Sequence, residues 1–149
     1  MCSALERVWL LGLLGRGDEA AERGQVLLER AVNKFHPLLV LARVYQGQYR
    51  WQEAARLQEE ALRLAGTLER EAYARHQIGR RLFEEARYRD AAAEFEWARD
   101  LFRSSASGRN LIEASGQAML RARELAVEPF PGIIVPARDS SGPCPSFTL

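Results

Sequence analysis

Over residues 3–126 the apolar positions recur in steps of three and four rather than two, which is the period of a helix with one buried face. In "YRDAAAEFEWARDLF" (88–102) the small residues Ala91 and Ala98 flank Phe95, and charged residues fill the opposite face. The period is interrupted at "GRGD" (15–18), "NKFHP" (33–37), "QGQYR" (46–50), "AGT" (65–67), "EARYR" (85–89) and "SSASGRN" (104–110). The intervening stretches predict about seven helices, over 3–14, 18–32, 37–46, 50–65, 68–85, 88–104 and 109–126. Asp18 and Thr67 suit N-caps, Pro37 suits an early helical position, and Gly or Asn suits the helix C-termini. Connections this short favour antiparallel hairpins.

The helical period stops near Val127. One proline, Pro37, precedes that point, and the other five of the six fall in "EPFPGIIVPARDSSGPCPSFTL". Prolines at that density break helices and sheet interiors. The expected organisation is therefore a helical domain over 1–126 and a proline-rich flexible tail over 127–149. Within the tail, "GIIVP" has the alternative of a short strand packed on the body, and the terminal "FTL" resembles a hydrophobic-x-hydrophobic PDZ ligand.

The helices repeat. Counting from Gly79, positions 3, 9, 12, 16 and 19 residues on are Leu82, Tyr88, Ala91, Phe95 and Ala98. Counting from Ala42 they are Tyr45, Trp51, Ala54, Gln58 and Ala61, and from Val8 they are Leu11, Gly17, Ala20, Gly24 and Leu27. The start points are 34 and 37 residues apart. Small residues at the first, fourth and last of these positions let paired helices approach, and large ones fill the space between pairs. A hairpin with apolar surface on two sides cannot bury it alone, so neighbours must stack.

These residues resemble the tetratricopeptide repeat, most closely in "QIGRRLFEEARYRDAAAEFEWA" (77–98). The stretch "HPLLVLARVYQGQYRWQEAARLQEEALRLA" (36–65) is similar to the longer repeats of kinesin light chains and bacterial regulatory proteins. Gln58 departs from the usual aromatic, and Gly17 and Gly24 replace large residues. The resemblance implies an all-α fold, an α-solenoid of antiparallel helix pairs with about three repeats and helix 109–126 as an unpaired first helix or cap. It implies a non-enzymatic module that binds a peptide or protein segment in a groove lined by the first helix of each pair. Carried onto this chain, the lining residues are His36, Leu39 and Arg43, then Tyr73, His76, Gln77 and Arg80, then Asn110, Glu113, Gln117 and Arg121. The three arginines point to a partner with acidic character. Leu39 stands where the family's carboxylate-clamping members carry lysine, which argues against binding of chaperone tails. The alternative is the sensing portion of a transcriptional regulator whose DNA-binding domain lies outside this chain.

Composition narrows the classes further. The chain of 149 residues is 47% hydrophobic and 28% charged, as expected of a soluble globular protein, and carries a net charge of +1. That balance argues against nucleic acid as a partner. All 21 basic residues but Lys34 are arginine, which reflects codon composition first and carboxylate recognition second. Cys2 and Cys144 have no paired spacing, so no disulfide framework, metal site or cofactor is expected. "EREAYARHQ" (69–77) sets Glu69, Tyr73 and His76 on one helical face, but with two histidines and no phosphate loop the chain does not read as an enzyme. "VWLLGLL" (8–14) is too short to span a membrane. It is instead an apolar end that could pair with a second copy, and the expected location is the cytoplasm.

Overall fold

Residues 3–127, which the computed structural model describes, form seven α-helices and no strand. They are α1 (Ala4–Leu13), α2 (Gly17–Arg30), α3 (Phe35–Gly47), α4 (Trp51–Arg63), α5 (Leu68–Glu84), α6 (Tyr88–Ser104) and α7 (Arg109–Val127). The chain is thus all-helical over this range. Cys2, Cys144, "GIIVP", "FTL" and nearly all of the expected tail lie outside the described residues.

Two helices begin with side-chain caps. Ser3 and Glu6 form a reciprocal capping box at α1, and the Thr67 hydroxyl accepts the Arg70 backbone N–H at 3.2 Å at α5. The three helices that close the hairpins start differently. Their N-caps are Arg16, Arg50 and Arg87, with φ/ψ of −93/52°, −87/67° and −89/65°. Each guanidinium pairs with an acid three residues on: Arg16 with Glu19, Arg50 with Glu53, and Arg87 with Asp90. The acid lies in the first helical turn, where the helix dipole favours negative charge. Asp18, expected as an N-cap, is the second residue of α2 and accepts a hydrogen bond from Gln48 Nε2 at 2.9 Å.

The hairpin turns repeat in the same register. The N–H groups of Arg16, Arg50 and Arg87 donate to the carbonyls of Leu11, Tyr45 and Leu82, each at 2.9 Å. The residues just before them, Gly15, Tyr49 and Ala86, are left-handed, with φ of 75°, 60° and 60°. This is the helix-ending motif in which a left-handed residue turns the chain and orphan carbonyls are satisfied. A fourth copy, with Ala106 left-handed and Ser107 donating to Phe102, ends α6. Gly47, the glycine in the break that follows the predicted helix 37–46, is not the turning residue. It is the last residue of the helix, and Tyr49 takes the left-handed conformation instead.

Each helix packs on its neighbours in sequence, and α1 also packs on α3 and α3 on α5. The repeat positions form the seams. Ala20, Ala54 and Ala91 are fully buried, as are Ala42, Ala61 and Ala98. At Gly79 a Cβ would fall 2.8 Å from the Phe95 ring, so the glycine is what lets α6 lie against α5. Gly24 plays the same part for Leu41, whose Cδ1 would be 2.9 Å from an added Cβ. The Tyr45 ring is buried beneath the Arg50 guanidinium, 4.1 Å from the ring centroid, and its hydroxyl accepts from Gln25 at 2.6 Å.

At the position of Phe95 the second hairpin carries Gln58, which is only 2% exposed. Its amide oxygen accepts from Arg81 Nε at 2.7 Å, and its amide nitrogen donates to the Gln77 carbonyl at 3.3 Å. Arg81 in turn pairs with Glu85 at 2.7 Å. These bonds join α4 to α5, so the polar substitution links one hairpin to the next, and no buried side-chain nitrogen or oxygen among the described residues lacks a partner. Of the tryptophans expected to pack in the hairpins, Trp51 is half-buried beside Tyr49. Trp97 is 49% exposed and is covered from one side by the Arg75 guanidinium, 3.3 Å from its ring centroid.

Candidate binding face

The odd-numbered helices carry all of the residues expected to line the groove, and the structure brings Arg43, Gln77 and Arg80 together, with His36 and Tyr73 meeting at one end. Arg43 on α3 reaches across to α5, donating to Gln77 Oε1 at 3.5 Å. Burial, and then the neighbouring Arg80 guanidinium, lowers the Arg43 pKa from the usual arginine value, while Glu84 and Tyr73 oppose the shift. Arg43 and Arg80 are both half-buried, yet neither forms a salt bridge among the described residues. The other half-buried or buried arginines are matched: Arg75 with Glu71 and Glu94, Arg81 with Glu85, Arg99 with Asp100, and Arg70 over the Phe35 ring. Two neighbouring guanidiniums outside any salt bridge have the donor chemistry to hold an anionic group, and Glu84 is the acid whose charge reaches Arg43.

His76 sits beside that pair but faces inward. Its Nδ1 is 2.9 Å from the hydroxyl of fully buried Ser115 on α7, and its ring lies 5.2 Å from that of Phe95. Burial, then the charges of Arg80 and Arg43, push its pKa down to about 4, so the imidazole is neutral at physiological pH. It joins α5 to α7 and does not offer a free face to a ligand. At one end of the face His36 and Tyr73 meet edge to face at 6.2 Å. They line a cavity of about 530 Å³ with Phe35, Arg70 and Leu111.

Leu39 does not line this face. It is 6% exposed and packs with Phe35, Leu38, Ala61 and Ala74. Its place in the repeat is that of His76, 37 residues later, and in both hairpins that position is turned into the fold. Asn110, Glu113, Gln117 and Arg121 are exposed on α7. Arg121 pairs with Glu124 of its own helix at 3.1 Å, and no hydrogen bond or ion pair among the described residues joins this group to Arg43 or Arg80.

The face also extends where the sequence did not place it. Trp9 occupies the repeat position of Arg43 and Arg80, and Leu13 that of Gly47 and Glu84. They are 42% and 62% exposed. Together with Val44, Gly47, Arg43 and Glu84 they line a second cavity of about 600 Å³. The 34- and 37-residue intervals carry the signal for these two residues, but "VWLLGLL" reads first as an end to be covered.

No helix among the described residues is long and apolar enough to cross a membrane. The sequence matches no protein-family model and no curated protein.

Proposed function

We propose that this chain is a non-enzymatic interaction module that binds a peptide or protein segment carrying an acidic residue, on the face formed by α1, α3, α5 and α7. Arg43 and Arg80 hold the acidic group, with Gln77 positioning the Arg43 guanidinium. The observation that carries this reading is the pairing of two half-buried guanidiniums that form no salt bridge among the described residues, although the other half-buried or buried arginines are matched by an acid or, for Arg70, by an aromatic ring. Holding like charges together costs energy in the free protein, and an anionic ligand relieves it.

The repeating turns, the buried alanines and the packing of α1 on α3 and α3 on α5 support a tetratricopeptide-like solenoid, whose stacked first helices form a groove. A cytoplasmic location and self-association through the apolar end of α1 belong to the same reading. Selection from a random peptide library tests it. Wild-type protein should enrich sequences with Asp or Glu, and a folded Arg43→Glu/Arg80→Glu variant should lose that preference. Enrichment of the same peptides by both proteins would contradict it.

A further inference from the structure

Among the described residues, Gln46 is the buried amide side chain left without a partner. It is 6% exposed, and its side chain makes no hydrogen bond among those residues. The other buried or half-buried glutamines are all bonded: Gln48 to Asp18 and Arg50, Gln58 to Arg81 and the Gln77 carbonyl, and Gln77 to Arg43. No fully enclosed side-chain nitrogen or oxygen lacks a partner, so the Gln46 amide keeps contact with the space it borders. That space is the cavity of about 600 Å³ between α1, α3 and the start of α2, a volume within the range of small-ligand pockets. An amide buried without a partner is costly, and an occupant of the cavity removes that cost.

The lining restricts the occupant. Trp9 and Val44 give it an apolar wall, while Arg43, Asp18 and Glu84 bring charges of both signs. Arg16 and Glu19, also in the lining, neutralise each other. At Gly17 a Cβ would fall 2.8 Å from Gln48 Nε2, so the bare backbone lets Gln48 reach Asp18, and these two groups are taken. The first turn of α2 has no side-chain cap and carries Asp18 and Glu19, whose charges repel an anion. A cation would satisfy only the Gln46 oxygen and an anion only its nitrogen, whereas a neutral amide offers an acceptor and a donor at once.

We infer that the cavity is a binding site for a neutral carboxamide, which pairs with the Gln46 amide through one C=O and one N–H and rests its carbon chain on Trp9 and Val44. The carboxamide comes from an Asn or Gln residue of the segment held at Arg43 and Arg80, or from a free small molecule. Only the first source rests on the acidic reading.

Nuclear magnetic resonance of the nitrogen-15-labelled full chain tests this, with butyramide, butyrate and butylammonium as probes. Butyramide should shift the Gln46 side-chain and Trp9 indole signals saturably, and the two charged probes should bind at least tenfold more weakly. Gln46→Met keeps the side-chain length and removes the hydrogen bonds. It should abolish butyramide binding and leave the denaturation midpoint equal to or above that of wild type. A second arm compares acidic peptides with Gln or Met three residues from the acid. A tenfold gain for Gln that Gln46→Met removes assigns the site to a peptide residue, and butyramide binding without that gain assigns it to a free small molecule. Butyramide binding no tighter than butyrate or butylammonium, or binding that survives Gln46→Met, overturns the inference. So does a lowered midpoint for Gln46→Met, which would show that the amide already has a partner within the fold. None of these failures touches the acidic reading, which falls only if acidic peptides fail to bind at all.

Discussion

The hairpins α3–α4 and α5–α6 share a turn, an arginine–acid pair at the second helix and two buried alanines, but they fill their centres in opposite ways. The second hairpin places apolar Leu39 between odd helices and polar Gln58 at the seam. The third places polar His76 between odd helices and apolar Phe95 at the seam. One backbone register therefore accepts packing or hydrogen bonding at either position, provided each buried polar group finds a partner. Gln58 finds Arg81 and the Gln77 carbonyl, and His76 finds Ser115. In both cases the polar residue ties its own helix to a neighbouring unit, whereas Phe95 closes its own hairpin.

The largest expected loss comes from the apolar centre. Phe95→Ala should lower stability by about 3–5 kcal/mol, the range for deleting a buried phenylalanine, read as a fall in the chemical denaturation midpoint. The same seam cannot simply be copied, because the Phe95 ring needs the missing Cβ of Gly79 and the second hairpin has Ala42 there. Gln58→Phe should therefore destabilise, and adding Ala42→Gly should recover part of the loss.

Next in size is the pH dependence from His76. Its pKa is lowered to about 4 in the fold against an ordinary value of 6.5, so between those values the unfolded chain takes up a proton that the folded chain does not. The contribution is fully present above pH 6.5 and is lost as pH falls toward 4, by on the order of 3 kcal/mol. His76→Gln should flatten that part of the stability profile relative to wild type. Parallel profiles would show that the inward-facing imidazole does not govern it.

The polar centre of the second hairpin should cost less. Gln58→Leu leaves Arg81 Nε, in a residue 7% exposed, without its acceptor and should destabilise by about 2 kcal/mol. Adding Arg81→Met removes the unpaired Nε–H donor but leaves Glu85 without its partner, so it should restore only part of the loss. The smallest effects compare two glycines. Gly79→Ala should be net destabilising, by about 1 kcal/mol, because the ring of Phe95 cannot move freely. Gly47→Ala should stabilise by up to about 1 kcal/mol, since its Cβ enters open space.

These contrasts also show what the sequence could tell. Helix period and the Gly79-to-Ala98 spacing disclosed the helices and the repeat register, because those depend on local periodicity. The turns were legible as breaks, but not in their chemistry. Tyr49 and Ala86 hold left-handed conformations that glycine would adopt more readily, so the preference of glycine for helix ends points to Gly47 rather than to Tyr49. The arginine N-caps were hidden for a similar reason, since arginine is no ordinary capping residue and Asp18 stood two positions away. Helical spacing put Arg43, Arg80 and Leu39 on one face, whereas the structure leaves the two arginines half-buried and buries Leu39. Spacing alone does not separate a helix face that meets the next odd helix from one that meets solvent. The exposure of Trp9 and Leu13 was not legible, because exposure of an apolar helix depends on which neighbours pack on it.

The central claim is that Arg43 and Arg80 form a receptor for an acidic segment, and titration calorimetry of one library-selected acidic peptide tests it most directly. Wild-type protein should bind with an affinity that weakens as salt rises. The Arg43→Glu/Arg80→Glu protein should keep its helical circular dichroism and bind at least thirtyfold more weakly. Equal affinity for the two proteins, with both folded, would contradict the account.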